Sequence, residues 1–241
     1  MLDEKNEVDS CDPLRPLRQM VLSLGVSGRI AGELMEGHAC VAYKKGSVIF
    51  MRDAPGDVLF WVLSGLVKVS CPVRNRERLT VDLVGPGELL GFANLINSVD
   101  EITQAFEARA VTDCKLALLT RERIMRTIKT AETAAIISFI VHLNAAWSRV
   151  LQKRVQFLGQ EFSTRLLQVL ADLSTRFGVQ SPSGATLIVE LSHKDLAEMI
   201  GCSRPMVTRM IKKMMSEGIL ARNGRYYVVR IRNEFASTVQ M

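Results

Sequence analysis

The stretch with the densest chemistry is LSHKDLAEMIGCSRPMVTRMIKKMMSEGIL, residues 191–220. Ser192 is an N-cap residue type, followed at helical spacing by apolar Leu196, Met199 and Ile200. Gly201 supplies the left-handed residue that ends such a helix. Ser203 reads as the cap of a second helix, and Pro205 fits there because it falls in the first turn. In that second helix Val207, Ile211 and Met214 share an inner face, while Arg204, Thr208, Arg209, Lys212 and Lys213 share the outer one. Two helices joined by a glycine turn, the second basic on its outside, form the arrangement that lays a helix in the major groove of a duplex. Behind it, residues 219–222 and 226–230 flank Asn223-Gly224, a hairpin signal. That hairpin is a wing carrying Arg222 and Arg225 near its tip. Ser192, Lys194 and Ser203 complete the candidate DNA-contacting set.

The charge agrees with this reading. Nine basic residues lie between Ser192 and Arg232 against three acids, Asp195, Glu198 and Glu217. That local excess equals the +6 of the whole 241-residue chain, so the remainder is neutral. A basic module on a neutral body is the electrostatic footprint of a phosphate-backbone binder.

Other elements must position this module. From Val41 to Leu119 short β-rich runs, 48–50, 58–71, 79–84 and 114–119, alternate with Gly46, Pro55-Gly56, Gly65 and Gly85-Pro86-Gly87. Short strands with frequent glycine turns predict a compact β barrel or roll. Gly65, inside a strand pattern, predicts a bulge or tight hairpin. From Arg121 to Arg176 there is no proline and Gly159 is the single glycine, which predicts helix. Ile136, Ile140, Leu143, Trp147, Val150, Arg154 and Phe157 recur there at alternating spacings of four and three, the seam of a coiled-coil partner face. Arg154 on such a seam requires an acidic partner or an edge location. Gly159 reads as a hinge. A helix over 161–177, a turn over 178–184 and a strand over 187–190 lead into the helix-turn-helix.

Composition removes other classes. With 48% hydrophobic residues the chain has material for a core. No apolar run approaches the roughly 20 residues of a membrane span, and the acidic, polar start MLDEKNEVDSCDPLRPLRQM is not a signal peptide, so a cytoplasmic protein without membrane attachment is expected. Cysteines 11, 40, 71, 114 and 202 form no CxxC pair, so neither a disulfide framework nor a structural metal site is expected. No nucleophile elbow, HExxH or phosphate-binding GxxxxGK[ST] occurs, and Asp53, Asp57 and Asp82 fall in turns or on strand faces. The expectation is a non-enzyme with no catalytic residues.

IGCSRPMVTRMI resembles the GxSRxxVxR recognition element of the cyclic AMP receptor protein and FNR (Crp/Fnr) family of bacterial transcription regulators. Gly87-Glu88-Leu89-Leu90-Gly91-Phe92 with Leu95-Ile96 resembles the β-roll signature, nearer the FNR branch. The resemblance implies an α+β chain: a cyclic-nucleotide-binding-like β-roll, a long dimerisation helix and a winged helix-turn-helix. The segments expected are 1–30 (N-terminal segment), 31–120 (effector-sensing roll), 121–160 (dimerisation helix), 161–234 (DNA-binding domain) and 235–241 (tail). It also implies a homodimer joined through Ile136, Ile140, Leu143, Trp147, Val150 and Phe157. The partners implied are a two-fold symmetric DNA operator, RNA polymerase and a small-molecule effector. Arg204 and Arg209 match family positions that contact guanine or phosphate. Pro205 replaces the family's glutamate, removing an acceptor for cytosine, and Thr208 suits a thymine methyl.

The effector pocket implied by resemblance is Gly87, Glu88, Leu90, Gly91, Phe92, Thr103, Gln104 and Val150. Its departures argue against cyclic AMP. Phe92 stands where that branch has glutamate, and Thr103-Gln104-Ala105 lacks the arginine that grips the cyclic phosphate. The positions where hydroxyls meet the nucleobase fall near Val150-Leu151. An iron–sulfur cluster is not expected either: Cys114 matches the family's roll cysteine, but only Cys11 precedes residue 40. Haem stays open as an alternative, with His38 and His142 as N-terminal candidates, as does a regulator that binds DNA constitutively. The effector itself is unassigned.

Overall fold

The computed structural model describes residues 39–73, 78–91, 104–182, 184–187 and 189–230, without the side chains of 142, 143, 146, 149, 153 and 158. The N-terminal segment, Phe92, Leu95-Ile96, Thr103, the candidate haem ligand His38 and the tail lie outside the described residues. By contact the chain divides into two units. One gathers residues up to Val69 with Asp82–Arg149; the other joins Ser70–Val81 to the chain from Val150 onward.

The roll strands are β1 (Ala39–Tyr43), β2 (Val48–Phe50), β3 (Val58–Ser64), β4 (Val67–Pro72), β5 (Arg78–Val84), β6 (Leu89–Leu90), β7 (Glu107–Ala110) and β8 (Cys114–Thr120); the far part of β4 and the first half of β5 count to the second unit. They form two four-stranded sheets, ordered β1-β8-β3-β6 and β2-β7-β4-β5. β8 is antiparallel to both neighbours, with Val41 opposite Leu116 and Leu59 opposite Leu119. Phe60, Val62, Val67, Val84, Leu90, Ala108, Ala110, Cys114 and Leu116 make the shared core. The runs expected to be strands are strands. β7, sequence EARA, carries none of the β-branched or aromatic enrichment that marks a strand, and its place between β2 and β4 makes it one.

Gly65 turns out to be the corner where the chain passes from one sheet to the other. Its φ is +89°, and a Cβ there would lie 2.3 Å from the Asp113 carbonyl and 2.6 Å from Cys114 Sγ, so only glycine fits. The neighbouring Leu66 amide donates to Thr112 Oγ1 at 2.9 Å. Cys114 is a packing residue: its buried Sγ lies 3.3 and 3.2 Å from the carbonyl oxygens of Leu66 and Thr112, which share its one thiol proton. Burial pushes the Cys114 thiol up from its ordinary value.

The helical region is three helices: α1 (Arg121–Thr130), α2 (Thr133–Leu158) and α3 (Phe162–Phe177). The break between α1 and α2 lies at Ala131, whose backbone is extended. Among the described residues no helix is long and apolar enough to cross a membrane. In the second unit α3 buries Leu166, Val169, Leu170 and Leu173. The expected turn over 178–184 is instead a hairpin, β9 (Gly178–Ser181) against β10 (Gly184–Leu187), so the following strand begins three residues earlier than expected. β11 (Leu220–Asn223) and β12 (Tyr226–Val229) complete a sheet ordered β11-β12-β10-β9.

Candidate nucleic-acid interface

The helix-turn-helix is α4 (His193–Ile200) and α5 (Arg204–Ser216). Ser192 starts α4 with a capping box: the Asp195 amide donates to Ser192 Oγ at 3.1 Å, and the Ser192 amide donates to the Asp195 carboxylate at 3.1 Å. The Ser192 hydroxyl itself donates to that carboxylate at 2.6 Å. Gly201 ends α4 in the left-handed region, at φ 74°. Leu196, Met199 and Ile200 of α4 and Val207, Ile211 and Met214 of α5 are buried, the inner faces expected. Ser203 occupies the N-cap position of α5, but its hydroxyl makes no capping bond. Proline two positions on removes one of the two amides a cap side chain would satisfy, and the other, Met206 N, donates to the Ser203 carbonyl at 3.0 Å.

Arg204, Arg209, Lys212 and Lys213 are exposed on α5, as are Lys194 and Ser203 before it. Lys213 also lies 3.8 Å from Glu217, one turn on. In the wing Asn223 pairs directly with Tyr226, so the two-residue loop is Gly224-Arg225, one position later than Asn223-Gly224 suggests. Gly224 takes φ +60°, the value a hairpin turn with glycine at its first central position requires. Arg222 and Arg225 are exposed, their guanidinium carbons 5.2 and 5.7 Å from the ring centres of Tyr227 and Tyr226.

Between the two helices and the wing sits a residue that sequence reasoning missed. His193 Nδ1 is 2.8 Å from Thr208 Oγ1, and its Nε2 is 3.0 Å from the hydroxyl of Tyr227. Arg222 donates to that same hydroxyl at 3.4 Å. Burial, then the charges of Arg222 and Arg204, hold the His193 imidazole below its ordinary value, favouring the neutral ring. The only available signal was a histidine directly after a capping serine.

Two arginines grip the other end of α4. Arg154 donates to the Met199 carbonyl at 2.9 Å and to the Val81 carbonyl at 2.9 and 3.0 Å. Arg165 donates to the carbonyls of Ile200 at 3.2 Å and Gln160 at 3.1 Å. The seam arginine thus serves backbone oxygens of its own unit.

The remaining candidates divide between the units. In the roll, Gly91 (φ +78°) lies against the buried Gln104, whose Nε2 is 3.5 Å from the glycine's Cβ position. Gln104 exchanges backbone bonds with Asp53 and Ala54, each 2.8 Å. The Glu88 carboxylate accepts from the Gly85 amide at 2.7 Å, Gly87 donates to the Val62 carbonyl, and Leu90 is in the core. Val150 is half-buried in the other unit. On α2 the apolar residues left uncovered are Ile137, Ile140, Val141, Trp147, Leu151 and Val155. Ile136 is half-buried, Phe157 is 5% exposed beneath the Arg154 guanidinium, and the side chain of Leu143 is not described. The uncovered stripe is therefore centred one residue later than the seam read from spacing, a rotation of about 100° on an α-helix.

Comparison with known proteins follows this division. The cyclic nucleotide-binding domain family matches residues 40–131, and the Crp-like helix-turn-helix domain family matches residues 164–236. The chain belongs to the Crp/Fnr family. Among Crp/Fnr relatives, the CRP-like protein Clp of Xanthomonas oryzae pv. oryzae is 27% identical over 194 residues, covering 78% of this chain and 82% of Clp. The solved structure of CLP from Xanthomonas campestris, described as a c-di-GMP responsive global regulator, superposes with a TM-score of 0.71 at 22% identity, over 86% of this chain and all of that one. FixK2 from Bradyrhizobium japonicum gives a TM-score of 0.70 at 20% identity, over 83% and 96% of the two chains. The protein is thus a Crp-like DNA-binding transcription regulator by family, with the α+β architecture expected.

Proposed function

We propose that this chain is a homodimeric, signal-responsive transcription regulator that reads a two-fold symmetric operator through α5. The observation that carries this reading is the exposed basic face of α5 beside a wing of the same sign, on a helix-turn-helix whose inner faces are fully packed. Arg204 and Arg209 are the base-reading candidates, since an arginine fork matches guanine O6 and N7. Ser203, Lys194, Lys212, Lys213, Arg222 and Arg225 are the phosphate contacts, and Ser192 acts through the box that starts α4. In this reading two α2 helices pair across the exposed Ile137–Ile140–Leu151–Val155 stripe, and the two recognition helices meet half-sites about one helical turn apart. In this reading an effector held by the roll shifts operator occupancy or recruitment of RNA polymerase.

Cyclic AMP is not that effector. Gln104 stands where the cyclic AMP branch has its phosphate-gripping arginine, and it is buried against Gly91. The likeness to Clp makes a cyclic dinucleotide the first effector to offer. The test is fluorescence anisotropy of the full chain with labelled genomic duplexes over a salt series, alone and with cyclic AMP or c-di-GMP. Steep salt dependence together with a saturable effect of an effector other than cyclic AMP supports the proposal. Salt-independent binding, or tight activation by cyclic AMP, contradicts it.

A further inference from the structure

Counting donors along the His193 network leaves one consistent arrangement for the neutral ring. Thr208 Oγ1 donates its single proton to the Arg204 carbonyl at 3.1 Å, so it must accept from His193 Nδ1–H. His193 Nε2 then has no proton and accepts from the Tyr227 hydroxyl, whose oxygen accepts from Arg222. The relay runs Arg222 to Tyr227 to His193 to Thr208 to the α5 backbone. Tyr227 is 1% exposed, so burial anchors the far end. The groups facing the ring are Thr208 and Arg204 from α5 and Tyr227 and Arg222 from the wing. On its own helix, the carboxylate of Asp195 is engaged by Ser192.

The consequence falls on Thr208. Its hydroxyl is held at two points, which selects one χ1 rotamer of a side chain that is stiff there. With that hydroxyl committed to protein, the methyl is what remains to meet a base. We propose that His193 is a specificity-positioning residue: it commits the Thr208 hydroxyl inward, so that Thr208 selects a thymine by its 5-methyl group, and it ties that selection to the wing through Tyr227 and Arg222. This rests on the reading of α5 as the DNA-reading helix.

The experiment uses the full chain and a duplex that it enriches from a random-sequence library. Each thymine of the enriched half-site is replaced in turn by deoxyuridine, which lacks the methyl. Wild-type protein is expected to lose about four-fold in affinity at one thymine per half-site, the worth of one buried methyl. The profile should be flat in H193F, retained in H193N, whose amide N–H replaces the Nδ1 donor, and retained in T208V, which keeps a methyl without a hydroxyl. Should H193F fail to fold by thermal melting, H193A, which also lacks the Nδ1 donor, is read in its place with the same flat profile expected and the same overturning result. Wild-type protein that enriches a sequence but is indifferent to every deoxyuridine overturns the inference, as does an H193F profile like the wild type's or a flat T208V profile. If no sequence is enriched, the reading of α5 itself falls, and this inference with it.

Discussion

Arg154, in the last turns of α2, donates to the carbonyl of Met199, the penultimate residue of α4, at 2.9 Å. The same guanidinium holds Val81 of β5, so one side chain joins the end of a helix, the end of another and a strand. A cation at the carbonyl end of α4 is favoured by the helix dipole as well as by the hydrogen bonds. R154A should therefore lower unfolding free energy by about 1–3 kcal/mol, the usual range for bonds to a charged group. R154K should recover only part of it, since an ammonium lacks the fork. Chemical denaturation of the full chain checks this; equal stability of R154A and wild type would mean the clamp contributes nothing.

R209A should weaken binding to the enriched duplex by about 1–3 kcal/mol per half-site and relax preference at one base pair. K213A should weaken all duplexes alike and flatten the salt dependence. Anisotropy on enriched and scrambled duplexes separates the two. Equal losses on both duplexes for R209A would make it a phosphate contact.

Exposed and buried apolar residues of α2 should respond differently to substitution. Ile137 and Leu151 are 57% and 58% exposed, whereas Phe157 is buried. I137E/L151E should give folded monomers with weak operator affinity. F157A should instead cost about 3–5 kcal/mol of stability, as for a buried aromatic. Sedimentation velocity and thermal melting distinguish these; a persistent dimer in I137E/L151E would place the interface elsewhere.

His193 gives the stability a pH dependence of known sign. The folded state lowers its proton affinity, so the unfolded chain binds more protons in mild acid. That contribution is complete above the ordinary imidazole value of about 6.5 and declines as pH falls through it toward the lower folded value. Denaturation at pH 7.5 and 5.5 should show a larger drop for wild type than for H193F. An identical drop would remove His193 from the account.

What could be read from sequence was what is local in sequence. The helix-turn-helix declares itself through a cap, a glycine and two short periodic faces within 191–220, and all three are found in the structure. The strands rich in valine, leucine and phenylalanine are legible for the same reason, whereas β7, with Glu107 and Arg109 alternating with alanine, owes its form to its neighbours. The exposed stripe on α2 lies one residue past the seam read from spacing, and the direction of Arg154 on that seam is set by Val81 and Met199, remote in the chain. His193 was missed because its partners lie 15 and 34 residues away. Capping chemistry is written in neighbouring letters, and a relay across three elements is not.

In the function proposed, a pair of α5 helices reads successive grooves of one duplex. Selection of the full-length protein against a random duplex library, with and without candidate effectors, tests it most directly. The expected result is enrichment of an inverted repeat whose half-sites are centred about 10 base pairs apart, or a multiple of that spacing. Enrichment of a single, asymmetric site, or of no sequence at all under every condition, would contradict it.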